Sequence, residues 1–298
     1  MKTNKLLIFA AVLGLLAIIS SCSSGGSGTV TLNITDAPID AENVENVVIS
    51  ITGLAYHTTN PDEWVEATEF EGPKAFDLLS LTGGVTDMLG QFDLPAGEIS
   101  QLRFYLDAPE TGSSPPSNPG SYVKLAGSQE LFPLFVPSGN ASGFKATGAF
   151  DVPLNGVITL TADFDLRKSV RKTGSAYNLQ PTIRIIADGQ AGTIKGDVSY
   201  TGANVLAVFA YENGAYADTE TAATDILSAF SNAVTSSAAA DSDQDQTLDY
   251  CLAFLAAGTY DLVAAEFNSE GQYIDGSAVL IEDVIVESGK TTDRDISI

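Results

Sequence analysis

The chain is short of most groups on which enzymes rely. Its 298 residues include one histidine, two cysteines and one tryptophan. A zinc site built on His and Cys needs about three or four ligands, and the sequence holds neither an H-E-x-x-H pair nor a cysteine cluster. A serine triad would have to use His57, and no G-x-S-x-G elbow accompanies it. His57, in "GLAYHTTN", is therefore read as a residue near a strand end. Positive charge is scarce as well, with 14 Lys and Arg against 38 Asp and Glu. A chain so acidic repels nucleic acid and anionic surfaces at long range, so nucleic acid is excluded as a partner. The acidity itself reads first as a solvated surface.

Long apolar runs are absent except at the start. Lys2 and Lys5 precede the run "LLIFAAVLGLLAII", which "SSC" follows. From Leu6 to Ile19 the run has 14 residues, short of the roughly 20 needed to cross a bilayer. This favours a leader peptide over a transmembrane anchor. The pattern ending at Cys22 resembles the lipobox of bacterial lipoproteins. That resemblance implies cleavage after residue 21, lipidation of Cys22 and stable anchoring through several acyl chains. Residues 1–21 are thus expected to be a signal peptide and 22–28 a flexible Gly/Ser tether. No acidic run follows Cys22, which favours the periplasmic face of the outer membrane over the cell surface. Removing the leader removes two lysines and no acids, leaving 12 bases against 38 acids, or −26. With Cys22 lipidated, Cys251 has no intramolecular disulfide partner and is read as a packed small residue.

What is present is period two. Val30, Leu32 and Ile34 alternate with polar neighbours. So do Val47, Ile49 and Ile51, then Leu102, Phe104 and Leu106, then Ile158, Leu160, Ala162 and Phe164. Short alternating runs between Gly, Pro, Asn and Asp predict an all-β protein made of two antiparallel β-sandwich domains with few short helices. A helical turn or two is expected near "LLSLTGGVTDMLG". The Pro/Gly/Ser segment 110–121 reads as an exposed hairpin loop. "ADGQAG" marks a boundary, giving domains 29–189 and 192–298. Residues 220–234 fit helix or strand equally.

Six segments in order carry a family resemblance: "TDAPID", "FDLLSLTGG", "LPAGEISQLRFYL", "PSGNASGFK", "ADFDLRKSV" and "YNLQPTIRI". Together they resemble domain-of-unknown-function family 4382 of bacterial lipoproteins, which implies no established activity. Residues 192–298, through "GTIKGDV", "LAAGTYDL" and the closing "DISI", resemble carboxypeptidase regulatory-like, or transthyretin-like, sandwiches. Such domains are small accessory sandwiches, and the fold by itself implies no ligand.

Three stretches are candidate sites. "RKSVRK" gathers Arg167, Lys168, Arg171 and Lys172, four of the twelve mature bases. They would pair with Asp163 and Asp165, bind an anionic ligand through bidentate arginine contacts, or form a soluble loop. Trp64 is an apolar platform for a sugar or a core residue, with Tyr56, Tyr105 and Tyr122 as further aromatics. "DSDQDQTLD" places Asp241, Asp243, Asp245 and Asp249 at calcium-loop offsets. Gln246 stands where such a loop has Gly, and Leu252 where it has a bidentate Glu. The stretch reads first as a hairpin turn.

The expectation is thus an outer-membrane-anchored, non-catalytic binding or scaffold protein. It would need no cofactor, with calcium at the four aspartates the one metal kept in view. Its partners would be the membrane, through the lipid anchor, and a glycan, envelope polymer or envelope protein. The alternatives are a polysaccharide-active enzyme using paired carboxylates such as Asp163 and Asp165, and a purely structural envelope protein.

Overall fold

The computed structural model describes residues 26–37, 44–137, 143–222, 230–241, 244–269 and 271–298. Cys22 and Asp243 lie outside the described residues. The protein is all-β, with only short helical turns among the described residues.

Fourteen strands build the first unit: β1 (Ser27–Ala37), β2 (Val44–Thr59), β3 (Asp62–Glu66), β4 (Lys74–Asp77), β5 (Asp87–Pro95), β6 (Gly97–Leu106), β7 (Tyr122–Leu125), β8 (Leu131–Phe135), β9 (Phe144–Thr147), β10 (Phe150–Val152), β11 (Val157–Asp165), β12 (Val170–Thr173), β13 (Ala176–Leu179) and β14 (Ile183–Ala187). They form one sheet in the order β12-β13-β8-β7-β2-β6-β9-β14-β11-β1-β5, with β3 and β4 beside β2 and β10 beside β6. The inner faces meet in one core, where the alternating residues converge. Val30, Leu32, Ile34, Ile49, Ile51, Phe104, Leu160 and Phe164 are all buried there. Phe104 and Phe164 meet edge to face with centroids 5.5 Å apart. A buried side chain of this size contributes about 1.5–3 kcal/mol.

Among the described residues the second unit has eight strands: β15 (Ala191–Ser199), β16 (Val205–Glu212), β17 (Thr235–Ala239), β18 (Leu248–Ala256), β19 (Gly258–Phe267), β20 (Val279–Val286), β21 (Thr291–Asp293) and β22 (Ile296–Ser297). One sheet runs β18-β15-β21, with β22 also on β15, and the other runs β17-β16-β19-β20. Ile194, Leu252, Val208 and Leu262 pack between the sheets. The other face of β16 and β19 is buried too, because Phe230, Ala233 and Tyr273 cover Phe209, Val263 and Phe267. Phe209 stacks on Phe230 at 4.3 Å. This explains why "VLAVFAYE" is apolar on both faces: a strand covered twice loses its alternation.

Several local expectations are corrected. Pairing is not purely antiparallel: β1 runs parallel to β11 through nine residue pairs, and β13 with β8 and β14 with β9 are parallel as well. In the second unit β15 is parallel to β21 and β22. Residues 110–118 are exposed and Ser121 is buried, and the segment 110–121 joins β6 to β7, which lie on opposite sides of β2, so it is a crossover and not a hairpin loop. "LAAGTYDL" carries the chain from β18 in one sheet to β19 in the other, so it turns a corner between sheets. There the Tyr260 hydroxyl donates to the Ala256 carbonyl at 3.0 Å. Near "LLSLTGGVTDMLG" one 3-10 turn, Leu78–Ser80, precedes β5.

Candidate functional sites

Two places gather polar chemistry: the seam between the two units, and the outer face of the first sheet around Trp64.

The seam is built from the end of β11. Alternation sends Leu160, Ala162 and Phe164 into the first core and Thr161, Asp163 and Asp165 to the other face. A solvated strand face is the simple expectation for those acids, yet Asp163 and Asp165 are only 4% and 5% exposed. The cover includes the second unit. Asp165 caps the single helical turn Leu166–Ser169, accepting from the Lys168 backbone N–H at 3.4 Å. The turn aims Arg167 and Lys168 across the seam. Arg167 Nη2 donates to Asp165 Oδ2 at 3.0 Å, and Nη1 donates to the Phe230 carbonyl at 3.2 Å. The guanidinium lies 5.5 Å from the Phe209 ring centroid. Lys168 Nζ donates to the Ala233 carbonyl at 2.6 Å and lies 3.2 Å from Asp165 Oδ2. Asp163 pairs with Arg184, its register partner on β14.

The basic cluster is therefore split. Arg167, 3% exposed, and Lys168 tie the two units together. Arg171 and Lys172 project from β12, at the edge of the first sheet, and are exposed. Lys172 Nζ lies 5.6 Å from the Tyr177 ring centroid.

Asp163 and Asp165 also line a cleft of about 350 Å³ with Arg184, Glu212 and Asn232. They sit side by side on one strand and do not face each other across it. Both carry ion pairs, which is a structural use of the two acids. Burial pushes the Asp163 carboxyl above its ordinary range, with Arg184 opposing. Asp36, at the end of β1, is raised well above its ordinary value by burial, with Asp163 and Asp165 adding to the shift. The Leu166 N–H, 3.1 Å from Asp36 Oδ1, and the nearby Arg167 work against it.

The stretch 241–249 joins β17 to β18. Asp241 Oδ2 accepts from the Gln246 N–H at 3.3 Å, and Asp245 Oδ1 from the Thr247 N–H at 2.8 Å. Gln244 and Gln246 have φ of 65° and 75°. Asp249 exchanges two backbone hydrogen bonds with Ala240, at 3.0 and 2.8 Å. Asp241 and Asp245 thus cap their own turn. Among the described residues no group of three or more His, Cys, Asp or Glu side chains is placed to hold a metal. Cys251 follows on β18 with a half-buried thiol, which burial pushes up.

The outer face of the first sheet is the second place. Register sets Trp64 of β3 opposite His57 of β2 and Glu66 opposite Ala55. Arg103 of β6 is opposite both Ala55 and Lys145 of β9. The Arg103 guanidinium lies 3.8 Å from the Trp64 ring centroid, with Lys145 Nζ at 5.6 Å. His57 leans on the same ring at 5.0 Å. The Tyr105 hydroxyl donates to Glu66 Oε1 at 2.9 Å. Its ring lies over Gly53, where an added Cβ would come within 3.3 Å of Tyr105 Cδ2. Among the described residues neither Arg103 nor Lys145 makes an ion pair. Arg103 was missed as a candidate, although the alternation of "LRFYL" already turns Arg103 and Tyr105 to the outer face.

One contact on this face has the connectivity of a triad. His57 Nδ1 is 2.7 Å from Ser100 Oγ, and Nε2 is 3.1 Å from Asp62 Oδ1. A triad needs a buried acid to hold the imidazole in a dry site. The Asp62 side chain is 85% exposed, so solvent screens that contact.

This geometry defines an all-β protein with two packed units, tied by hydrogen bonds from Arg167 and Lys168 to the Phe230 and Ala233 carbonyls and bearing an aromatic and basic outer face. The family model described as "Domain of unknown function (DUF4382)" matches residues 27–181, more than half of the chain, and the protein belongs to that family. No curated protein matches the chain. Among solved structures it is similar to a candidate adhesin of Bacteroides ovatus, at 10% identity over 94% of this chain and 98% of that one, with a TM-score of 0.25. It is similar to a candidate cell adhesion protein of Bacteroides fragilis, at 9% identity over 89% and 92%, with a TM-score of 0.22. A minor pilin of Streptococcus agalactiae matches at 12% identity over 90% and 94%, with a TM-score of 0.19. Scores this low carry no argument about function.

Proposed function

We propose that the protein is a non-catalytic binding module of the bacterial envelope, anchored by lipid at Cys22. Its ligand is a glycan or envelope polymer that bears carboxylate or other anionic groups. One observation carries this reading: the Arg103 guanidinium lies 3.8 Å over the Trp64 ring beside Lys145, with no ion-paired carboxylate on either cation among the described residues. In a chain of net charge −24, two adjacent unpaired cations on an aromatic support form a local site for an anion. Arginine offers paired N–H donors to a carboxylate, and contact with an aromatic ring restrains the guanidinium. Tyr105, next to Arg103 on the same face, adds an apolar edge for a sugar ring.

The anchor rests on the lipobox-like leader, and placement at the periplasmic face of the outer membrane rests on the missing acidic run after Cys22. The second unit serves as an accessory sandwich of the carboxypeptidase regulatory-like kind, a reading that its two packed four-stranded sheets support. Calcium at the turn 241–249 plays no part in this reading, because Asp241 and Asp245 accept hydrogen bonds within the turn itself.

The test is a glycan array probed with the chain and with Arg103→Ala/Lys145→Ala. Uronic-acid or sulfated glycans should be retained by the native chain and weakened about tenfold or more in the variant, since a hydrogen bond to a charged group contributes roughly 1.5–3 kcal/mol. Binding confined to neutral glycans, or unchanged in the variant, would refute the site.

A further inference from the structure

The acids of the seam are not equally provided for. Asp165 meets Arg167 and Lys168, and Asp163 meets Arg184. Asp36 has no ion-pair partner among the described residues. One oxygen of Asp36, Oδ2, and one of Asp163, Oδ1, are buried without any hydrogen-bond partner. Their residues are 5% and 4% exposed. A buried carboxylate oxygen left alone is costly, so such atoms point to something that fills the space beside them.

That space exists. Asp36 and Asp163 line one cavity of about 10 Å³, together with Thr35 from the first unit and Thr235 and Ser236 from the second. It has room for roughly one water-sized sphere. Thr35 is the register partner of Asp163, and its hydroxyl lies within hydrogen-bond reach of the Leu81 and Val85 carbonyls, at 2.9 and 2.7 Å, with one proton to donate between them. The donor set is oxygen-rich. Cys251 also borders the cavity, but burial keeps its thiol protonated, and a thiol is a poor metal ligand.

We propose that Asp36 Oδ2 and Asp163 Oδ1 jointly hold one small hard cation of the calcium class in the seam between the two sandwiches. Carboxylate and hydroxyl oxygens are the ligands such ions take, and the Thr35, Thr235 and Ser236 side chains border the same space. The ion would neutralise Asp36, which has no ion-pair partner among the described residues. It would also join the ends of β1 and β11 to β17 of the second unit. The inference is independent of the Trp64 face and stands or falls without it.

The test uses the full chain in detergent, stripped with EDTA, then melted with and without added calcium chloride. The expected melting rise is about 5 °C at a hundredfold excess over the dissociation constant. Metal analysis after dialysis should find about one calcium per chain. Asp36→Asn is the key variant. Its amide oxygen can keep the Leu166 N–H, and its NH₂ can donate to Asp163 Oδ1. It should fold, lose both the shift and the bound calcium, and melt at or above the native chain in EDTA. Asp243→Asn should keep both, which separates this site from the turn at 241–249.

An equal shift in Asp36→Asn, or no calcium bound to the native chain, would overturn the proposal. A native chain indifferent to calcium whose stability falls as pH rises from about 4 would assign the space to a proton shared by Asp36 and Asp163. The sign follows because a raised carboxyl pKa costs stability only where the unfolded acid has already ionised. Asp163, Asp165 and Arg167 are the charged groups acting on Asp36.

Discussion

Arg167→Ala tests how the two sandwiches are held together. The guanidinium is buried against Asp165, the Phe230 carbonyl and the Phe209 ring. Removing one partner of a buried ion pair costs roughly 3–5 kcal/mol, because the other charge is left behind. Here Lys168 stays 3.2 Å from Asp165 Oδ2, which places the loss at the lower end. The Phe230 carbonyl also loses the Nη1 donor, and the arginine stem leaves the aromatic cluster. These contributions share atoms and do not add, so about 3 kcal/mol is expected. The assay is urea unfolding followed by two signals. Trp64 fluorescence reports the first sandwich, and far-UV circular dichroism reports the strands of both. Both transitions should move to lower urea in Arg167→Ala, and a gap should open between them as the sandwiches uncouple. Arg171→Ala, on the exposed edge strand, should stay within about 0.5 kcal/mol of the native chain. A loss below about 1 kcal/mol in Arg167→Ala, or equal losses in the two variants, would refute a clamp at the seam.

Two further outcomes are expected. Asp245→Ala removes the bond to the Thr247 N–H in an exposed turn and should cost about 0.5–1.5 kcal/mol, read by thermal unfolding, with no change in metal content. Cys22→Ala should abolish lipid labelling and release the chain from the membrane fraction. Full retention of the unlabelled variant in the membrane would remove the lipid-anchor reading.

Much of this was legible in the chain because β-structure writes itself at period two. Val30, Leu32, Ile34, Leu102, Phe104 and Leu106 read as inward residues, and they are buried. Residues covered on both sides were harder. Asp163 and Asp165 alternate correctly with Ala162 and Phe164, yet their face is covered at the seam, and no local pattern announces a cover that arrives from far along the chain. The same holds for "RKSVRK". Its four bases look alike in sequence, but the one helical turn at Leu166–Ser169 sends the first two across the seam and leaves Arg171 and Lys172 in solvent. Asp36 is the extreme case. Its partners lie some 130 residues away in sequence, Phe164 across the strands and the Leu166 N–H, and are set by a parallel pairing that alternation does not encode.

That parallel pairing has a consequence for the order of assembly. β1 is the first strand of the sheet, yet it is flanked by β5 and by β11, which ends at Asp165. A chain emerging from its N-terminus can lay β1 against β5 early, but the remaining side of β1 stays open until residue 165 has appeared. Contacts of that span are slow to close, and an open strand flank is prone to pair with the wrong partner in the interval. The final turn of the closure is the segment that carries Arg167 and Lys168, so the first sandwich cannot offer its clamp to the second before its own sheet is complete.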